Sequence, residues 1–431
     1  MRRLGTRMMA GSSAVLILAG PAVASPAGGP RGTQRLGEAP AASDYGVQLT
    51  PAIATGPDGR AVALLTQDGH AIVRHAKPGR RFGAARRLPL GGNASTLATA
   101  AGRGFAALAW THFDATYFPL PYSRDVPCCA RVRATLVDRS GRVTHPRTLS
   151  APGSNVGTML LSVRGRRAAI AWQDGRGVRT SVATRGRGFS RSVTVTSLSE
   201  GSLLGVALPR STPHVFLMLG YQAPWTVVEA WRHHGRTHRR TLGRFGGRVT
   251  VDFQAAVTPS GRMLLAGDLF RLEPRLRRFD VATRRPGGRL RATRLRVPLT
   301  RSSTATAIAL APSGRGLVAT ADGPRRLALR SVYPGGRVGR ARYVTTRSPL
   351  GASAVAIDSS GAGVLTVHTV GGTSTHRRDR LLAWPLSRGS RAGRQRALTP
   401  LTTPLSNGST VTVDRRIGWT QGSFTYAARL P

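Results

Sequence analysis

The chain has 431 residues, 40% hydrophobic and 6% aromatic, and its 64 Lys and Arg against 18 Asp and Glu give a formal net charge of +46. Its two cysteines exclude a disulfide-stapled scaffold. Outside the first two dozen residues, no apolar run approaches the ~20 residues of a membrane helix.

Nearly all of the positive charge is arginine, with Lys77 the only lysine. It is spread along the chain without a basic tract or aromatic interleaving. Salt-sensitive attraction to polyanions follows, and sequence-specific nucleic-acid recognition is not expected.

In chain order, residues 1–24 form an export signal. Arg2, Arg3 and Arg7 make a basic start, Met8 to Val23 is apolar, and Ala22-Val23-Ala24 precedes Ser25 as an A-x-A cleavage site. No cysteine follows the cleavage point, and no transmembrane segment remains after it. Arg2-Arg3 leaves twin-arginine export open beside the general route. The mature chain is expected to be secreted or extracytoplasmic and associated with the cell envelope. Residues 25–31 are expected to be disordered and 32–431 to form one domain.

From Ala52 a pattern of about 45 residues recurs: strand, tight turn, strand, tight turn, strand, turn, strand. That is the mark of a four-stranded propeller blade. The first turn reads GPDGR at Gly56, TPSGR at Thr258, APSGR at Ala311 and DSSGA at Asp358. Proline presets φ, and glycine accepts the positive φ where the chain reverses. Short apolar runs follow, such as AVALLT from Ala61 and GLVATA from Gly316. They read as strands buried on both faces. Fourth strands such as FGAARRL and VGRARYV alternate Arg with small residues, as a half-solvated outer strand should. Copies beginning near Ala52, Leu97, Met159, Leu204, Phe253, Ala307, Ala354 and Thr410 predict an all-β, eight-bladed β-propeller of antiparallel blades. Seven blades is the runner-up, because the copy at Leu204 is poorly patterned. The last copy lacks a fourth strand, and GTQRL at Gly32 to Leu36 reads as an orphan one. The N-terminal strand is therefore expected to complete the C-terminal blade.

Most connections between second and third strands are minimal: QDGH at Gln67, QDGRG at Gln173 and ADGP at Ala321. Asp68, Asp174 and Asp322 are expected in tight turns. Blade two departs, with THFDATYFPLPYSRDV from Thr111 to Val126 running into Cys128 and Cys129. A long loop on a short-looped scaffold is commonly functional. Its His112, Phe113, Tyr117, Phe118 and Tyr122, with Tyr221 and Trp225 of blade four, are candidate ligand-binding residues, since exposed rings stack on sugars or fill partner pockets. Asp114 and Asp125 are the candidate acid/base pair if there is catalysis. Cys128 and Cys129 are read as a vicinal disulfide, with free thiols the alternative. His233, His234 and His238 sit among arginines that repel a cation, so no metal and no cofactor are expected. The loop from Val370 to Arg380 reads as plain polar.

The Pro-Asp/Ser-Gly-Arg turn before a small-apolar second strand resembles the repeats of secreted actinobacterial propellers, which are distantly similar to sialidase-like (BNR, Asp-box) propellers. The Pro-Cys-Cys at 127–129 resembles a feature of some of the latter. No S-x-D-x-G-x-T-W box is present, and Glu38, Glu200, Glu229 and Glu273 are the only glutamates of the mature chain. None lies in a loop suited to the Tyr–Glu pair that the resemblance implies for a sialidase. The expected function is a non-enzymatic scaffold binding a carbohydrate, an anionic envelope polymer or an extracellular protein through the blade-two loop. The alternatives are a degenerate glycoside hydrolase or lyase and a structural envelope component.

Overall fold

The computed structural model describes residues 33–38, 50–90, 94–113, 130–151, 156–197, 201–220, 224–246, 250–269, 276–298, 307–371, 379–389, 391–399, 405–412, 414–421 and 424–430. All regular structure among them is β. Eight antiparallel sheets follow one another in the chain, each built from four consecutive strands in order apart from the last, and together they form an eight-bladed propeller. Blade seven carries a fifth short strand, because its outer strand is broken in two (Arg391–Ala392 and Arg396–Ala397). In blade eight, Thr33–Glu38 pairs antiparallel with Phe424–Arg429, Thr33 opposite Ala428, and supplies the missing outer strand. Leu36 of that strand is fully buried.

The eight copies begin at Ala52, Ala94, Met159, Ser202, Thr250, Ala307, Leu350 and Leu405. Three of these starts agree with the sequence pattern. The other five lie upstream, and in those five blades the register between first and second strands shifts near the start, between Ala94 and Leu97, Leu203 and Gly205, Thr250 and Asp252, Leu350 and Ser353, and Leu405 and Ser409. A bulge adds unpaired residues and breaks the period-two alternation. Only the regular part past the bulge was visible as a strand. The shift at Leu203 also explains why the fourth copy looked weak.

The tight turns between first and second strands follow one plan. The residue three before Gly donates its N–H to the carbonyl just past the turn, as in Thr258 to Arg262 (2.9 Å), Ala311 to Arg315 (2.8 Å) and Asp358 to Ala362 (2.8 Å). Glycine sits at positive φ in each: Gly59 at 72°, Gly261 at 86°, Gly314 at 87° and Gly361 at 84°. In blade eight the same place is taken by Arg415, at φ 64°.

Second strands are buried along most of their length, as expected; every residue of Gly316–Ala321 and Gly363–Thr369 is buried. The core is not central but divided. One apolar cluster lies at each blade boundary: Trp110 with Val62 and Leu64 between blades one and two, Trp172 with Phe105 and Ile170 between two and three, and Leu36 with Ile53 and Ala427 between eight and one. Each large side chain so buried contributes about 1.5–3 kcal/mol.

Fourth strands differ from expectation. Among the described residues they are continuous in blades four (Arg236–Phe245), five (Arg291–Pro298) and eight (Thr33–Glu38). Elsewhere the strand is interrupted at one residue whose N–H turns back to a third-strand carbonyl: Gly83 to His75, Thr144 to Leu136, Ser190 to Val182, Gly339 to Ser331 and Gly393 to Pro385, all 2.8–2.9 Å. The alternating Arg pattern therefore marks an outer rim only partly paired.

Arginines of strands and turns alike do more than meet water. Each of the following donates to a backbone carbonyl of the next blade: Arg60 to Arg139, Arg147 to Phe189, Arg164 to Leu208, Arg240 to Gly287, Arg285 to Pro334, Arg315 to Ser360, and Arg342 to Gly389, at 2.7–3.5 Å. Arg416 of blade eight closes the ring onto the Arg80 carbonyl of blade one (3.0 Å). Between blades seven and eight the Thr366 and Ser409 hydroxyls meet at 2.7 Å.

Candidate functional site

In each blade the connection from second to third strand lies at one end of the strands, here called the upper face, and the first-to-second and third-to-fourth turns lie at the other. The blade-two insertion, residues 114–129, leaves the upper face between Phe105–Phe113 and Ala130–Asp138. Asp114, Tyr117, Phe118, Tyr122, Asp125, Cys128 and Cys129 lie outside the described residues, as does Tyr221.

What is described is the stem. Its two strands pair over their full length, from Phe105 opposite Asp138 to Phe113 opposite Ala130, with His112 opposite Arg131. Trp110 anchors it from below, fully buried. The Thr111 hydroxyl accepts the N–H of Thr96 (3.0 Å), bracing the neighbouring bulge, and the Ser150 hydroxyl accepts that of Val132 (2.8 Å). Arg133, nearly buried, donates to the carbonyl of Leu90. The insertion thus springs from a stem fixed by packing and hydrogen bonds. Among the other connections of this face, only two residues separate the strands in blades one and three. In blade four, Trp225 opens the third strand, half-buried, with its ring tilted against Phe253 of blade five at 5.5 Å.

Two of the three Asp-Gly connections form two-residue turns: in blade one Asp68 and Gly69, both at positive φ (49° and 71°), lie between the paired residues Gln67 and His70, and in blade three Gly175 and Arg176 lie between Asp174 and Gly177. Asp174 is instead the last residue of its strand, opposite Gly177. It is buried, accepts the N–H of Arg176 (2.9 Å) and faces Arg179 Nε at 3.1 Å. Asp322 is buried too, in a wider loop, with Arg326 at 3.0 Å. The same Asp-Gly pair gives different turns, and in two of them an arginine a few residues on faces the carboxylate.

The polar-looking loop of blade seven ends on another buried carboxylate. Asp379 is fully buried, 3.4 Å from Nε2 of buried His368. One signal was present in the sequence: an ionisable His at the end of an otherwise apolar second strand, GVLTVH.

The strongest electrostatic site lies away from the upper face. Glu229, buried on the third strand of blade four, accepts from His214 Nδ1 (2.9 Å), from Arg240, and from Arg284 of blade five (2.8 Å). Burial opposes its ionisation. The His214 hydrogen bond, the Arg284 charge and then Arg240 more than offset it, leaving the carboxyl at about 2, below its usual 4.5. Arg284 also donates to the carbonyls of Gly261 (2.8 Å) and Gly288 (3.0 Å). All of these groups are engaged with one another across a blade boundary, so Glu229 is a structural carboxylate. Beside it the register aligns His214, Trp231 and His238 in one stack, at 4.8 and 5.4 Å between ring centroids. Among the described residues no three His, Cys, Asp or Glu gather as a metal site, and no helix is long and apolar enough to cross a membrane.

No family model and no curated protein matches the chain. Solved structures similar to it include a prolyl endopeptidase (14% identity, TM-score 0.47), covering 86% of this chain and 54% of that one, so the chain spans about half that enzyme's length. The NanB sialidase of Streptococcus pneumoniae is similar at 9% identity and TM-score 0.35, covering 88% of this chain and 68% of that one. A fungal lectin described as a six-bladed β-propeller, from Aleuria aurantia, is similar at 11% identity and TM-score 0.40, covering 82% and 97%. Likeness at this level transfers neither a ligand nor a reaction.

Proposed function

We propose that the chain is an exported, non-enzymatic propeller that holds a glycan of the cell envelope through the blade-two insertion. One observation carries the proposal: the aromatic-rich segment 114–129, the longest of the second-to-third connections, is joined to a stem whose two strands pair over their full length. Rings placed on a fixed support bind sugar faces at little cost in conformational entropy. The buried carboxylates Asp174 and Asp322 of this face are each held by a neighbouring arginine, which suits scaffolding.

A glycan and wall-polymer array, run at salt high enough to screen the net charge, tests this. Binding is expected for the full chain and is expected to be lost when 114–125 is excised, while thermal stability is retained. Binding that survives the excision would overturn the assignment. Turnover of a bound glycan that is abolished in Asp125→Asn, with binding intact, would make that residue an acid/base and the protein an enzyme.

A further inference from the structure

The interruption of the fourth strand is built in two ways. In blades one, six and seven the interrupting residue is glycine: Gly83, Gly339 and Gly393. In blades two and three it is a hydroxyl residue, Thr144 and Ser190. Each meets a second hydroxyl on the third strand, Thr135 with Thr144 at 3.0 Å and Ser181 with Ser190 at 3.4 Å. In blade one the third-strand partner at this point is Arg74, which closes over the Gly83 carbonyl at 2.7 Å.

At these two blades the lower rim carries grooves at two successive boundaries. One, of about 390 Å³, lies between blade two and the third-to-fourth turn of blade three, with Thr144, Arg142 and His145 on one wall and Arg185 on the other. The next, of about 560 Å³, lies between blade three and the equivalent hairpin of blade four, with Ser181, Ser190 and Ser192 facing Arg232. Both volumes fall in the range of small-molecule sites. The single carboxylate among the described residues of these walls, Asp138, is occupied by its own turn, accepting from Ser140 N, Ser140 Oγ and Arg142 N at 2.6–2.9 Å. Arg232 reaches across its groove to the Thr194 carbonyl (3.3 Å), and Val193, 40% exposed, gives the same wall an apolar surface.

We infer that the two grooves are paired subsites for two units, spaced along one chain, of an acidic polysaccharide. Hydroxyls that both donate and accept match sugar hydroxyls. Exposed aliphatic surface matches the C–H face of a ring, and an arginine on each rim matches one carboxylate per unit. A chain ligand with a repeating acid suits two like grooves one blade apart, since occupying the first raises the effective concentration at the second. This site is independent of the blade-two insertion and lies on the opposite face.

The test is calorimetric titration of the full chain with hexagalacturonate and with a hyaluronan hexasaccharide, against polyphosphate of equal charge, at screening salt. At least one uronate oligomer should bind saturably and more tightly than polyphosphate. Thr144→Gly with Ser190→Gly restores the residue used in blades one, six and seven, so the fold should tolerate it. That pair is expected to weaken uronate binding about tenfold and leave polyphosphate unchanged. Arg232→Gln should do the same, whereas Arg239→Gln, exposed on the same hairpin and outside the lining, should not. Excising 114–129 should leave this binding intact, which separates the outcome from that of the upper face. Uronate binding no tighter than polyphosphate, or indifferent to both groove variants, would overturn the inference.

Discussion

The boundary between blades four and five and that between blades six and seven each hold an apolar cluster, but they place their charged groups in opposite ways. At six–seven, apolar side chains including Leu317, Leu329, Leu365 and Trp384 fill the interior. The arginines stay at the rim, Arg315 and Arg342 each ending on a carbonyl of the next blade. At four–five a carboxylate and a guanidinium go inside: Glu229 and Arg284 expose only 6% and 1% of their side chains. A charge at the rim keeps its solvation and gains one hydrogen bond. A buried charge is held only by its partners, so the two boundaries should differ in what one substitution does.

The largest effect is expected at Glu229. Glu229→Gln preserves shape but leaves Arg284 charged, buried and without its counterion, at a cost on the order of 3–5 kcal/mol by chemical denaturation. Adding Arg284→Met should recover much of that loss, because exchanging a buried pair for apolar groups is often neutral. If the double variant is no better than the single one, the pair is not coupled. The acid limb gives a second reading. The folded carboxyl lies at about 2 against an ordinary 4.5. Its contribution is therefore full above about pH 4.5 and is lost as the pH falls toward 2, since a depressed carboxyl stabilises only while ionised. The stability gap between the wild type and Glu229→Gln should shrink across that window and stay constant above it.

At the six–seven boundary the matching change is milder. Arg315→Gln removes one hydrogen bond to the Ser360 carbonyl and contact with the Tyr333 ring at 5.9 Å. A loss of about 1 kcal/mol is expected, because water replaces the donor at an open rim. A loss as large as that at Glu229 would mean that rim arginines, and not the apolar clusters, hold the blades together.

The contrast also shows what the sequence could display. Turn glycines, apolar second strands and the unpaired strand at 33–36 are local signals, and each found its place in the fold. Glu229 was not legible as a structural group, because its decisive partner, Arg284, comes from the next blade. Asp379 looked solvated among His376, Arg377 and Arg378, yet His368 lies on the preceding strand and draws it inside. Bulges at the starts of five first strands hid their first residues for a related reason: alternation is the signal, and a bulge interrupts it. The aromatic and acidic residues of the blade-two insertion stood out by composition, and their placement lies beyond the described residues. The lower grooves are lined by Thr144 and Ser190, at a position where blades one, six and seven carry glycine, a difference that appears only when the blades are compared in register.

The smallest predicted effect concerns the turns that both kinds of boundary share. In blades one, five, six and seven, glycine takes the positive-φ position, where lacking a Cβ removes the clash that other residues meet. Blade eight places Arg415 there, at φ 64°, with the same hydrogen-bond frame: Thr412 N–H to the Arg416 carbonyl (2.9 Å) and Arg415 N–H to the Thr412 carbonyl (3.0 Å). An L-residue in this region costs roughly 1–2 kcal/mol, and glycine returns part of that as added freedom of the unfolded chain. Arg415→Gly is therefore expected to stabilise by about 0.5–1 kcal/mol, read as a small rise in Tm. Gly314→Arg, the reverse change at the corresponding turn of blade six, should destabilise by somewhat more, since an added Cβ there would also come within 2.8 Å of Arg262 Nη1. If Arg415→Gly instead lowers Tm, the arginine side chain contributes more to the closing blade than its backbone strain removes.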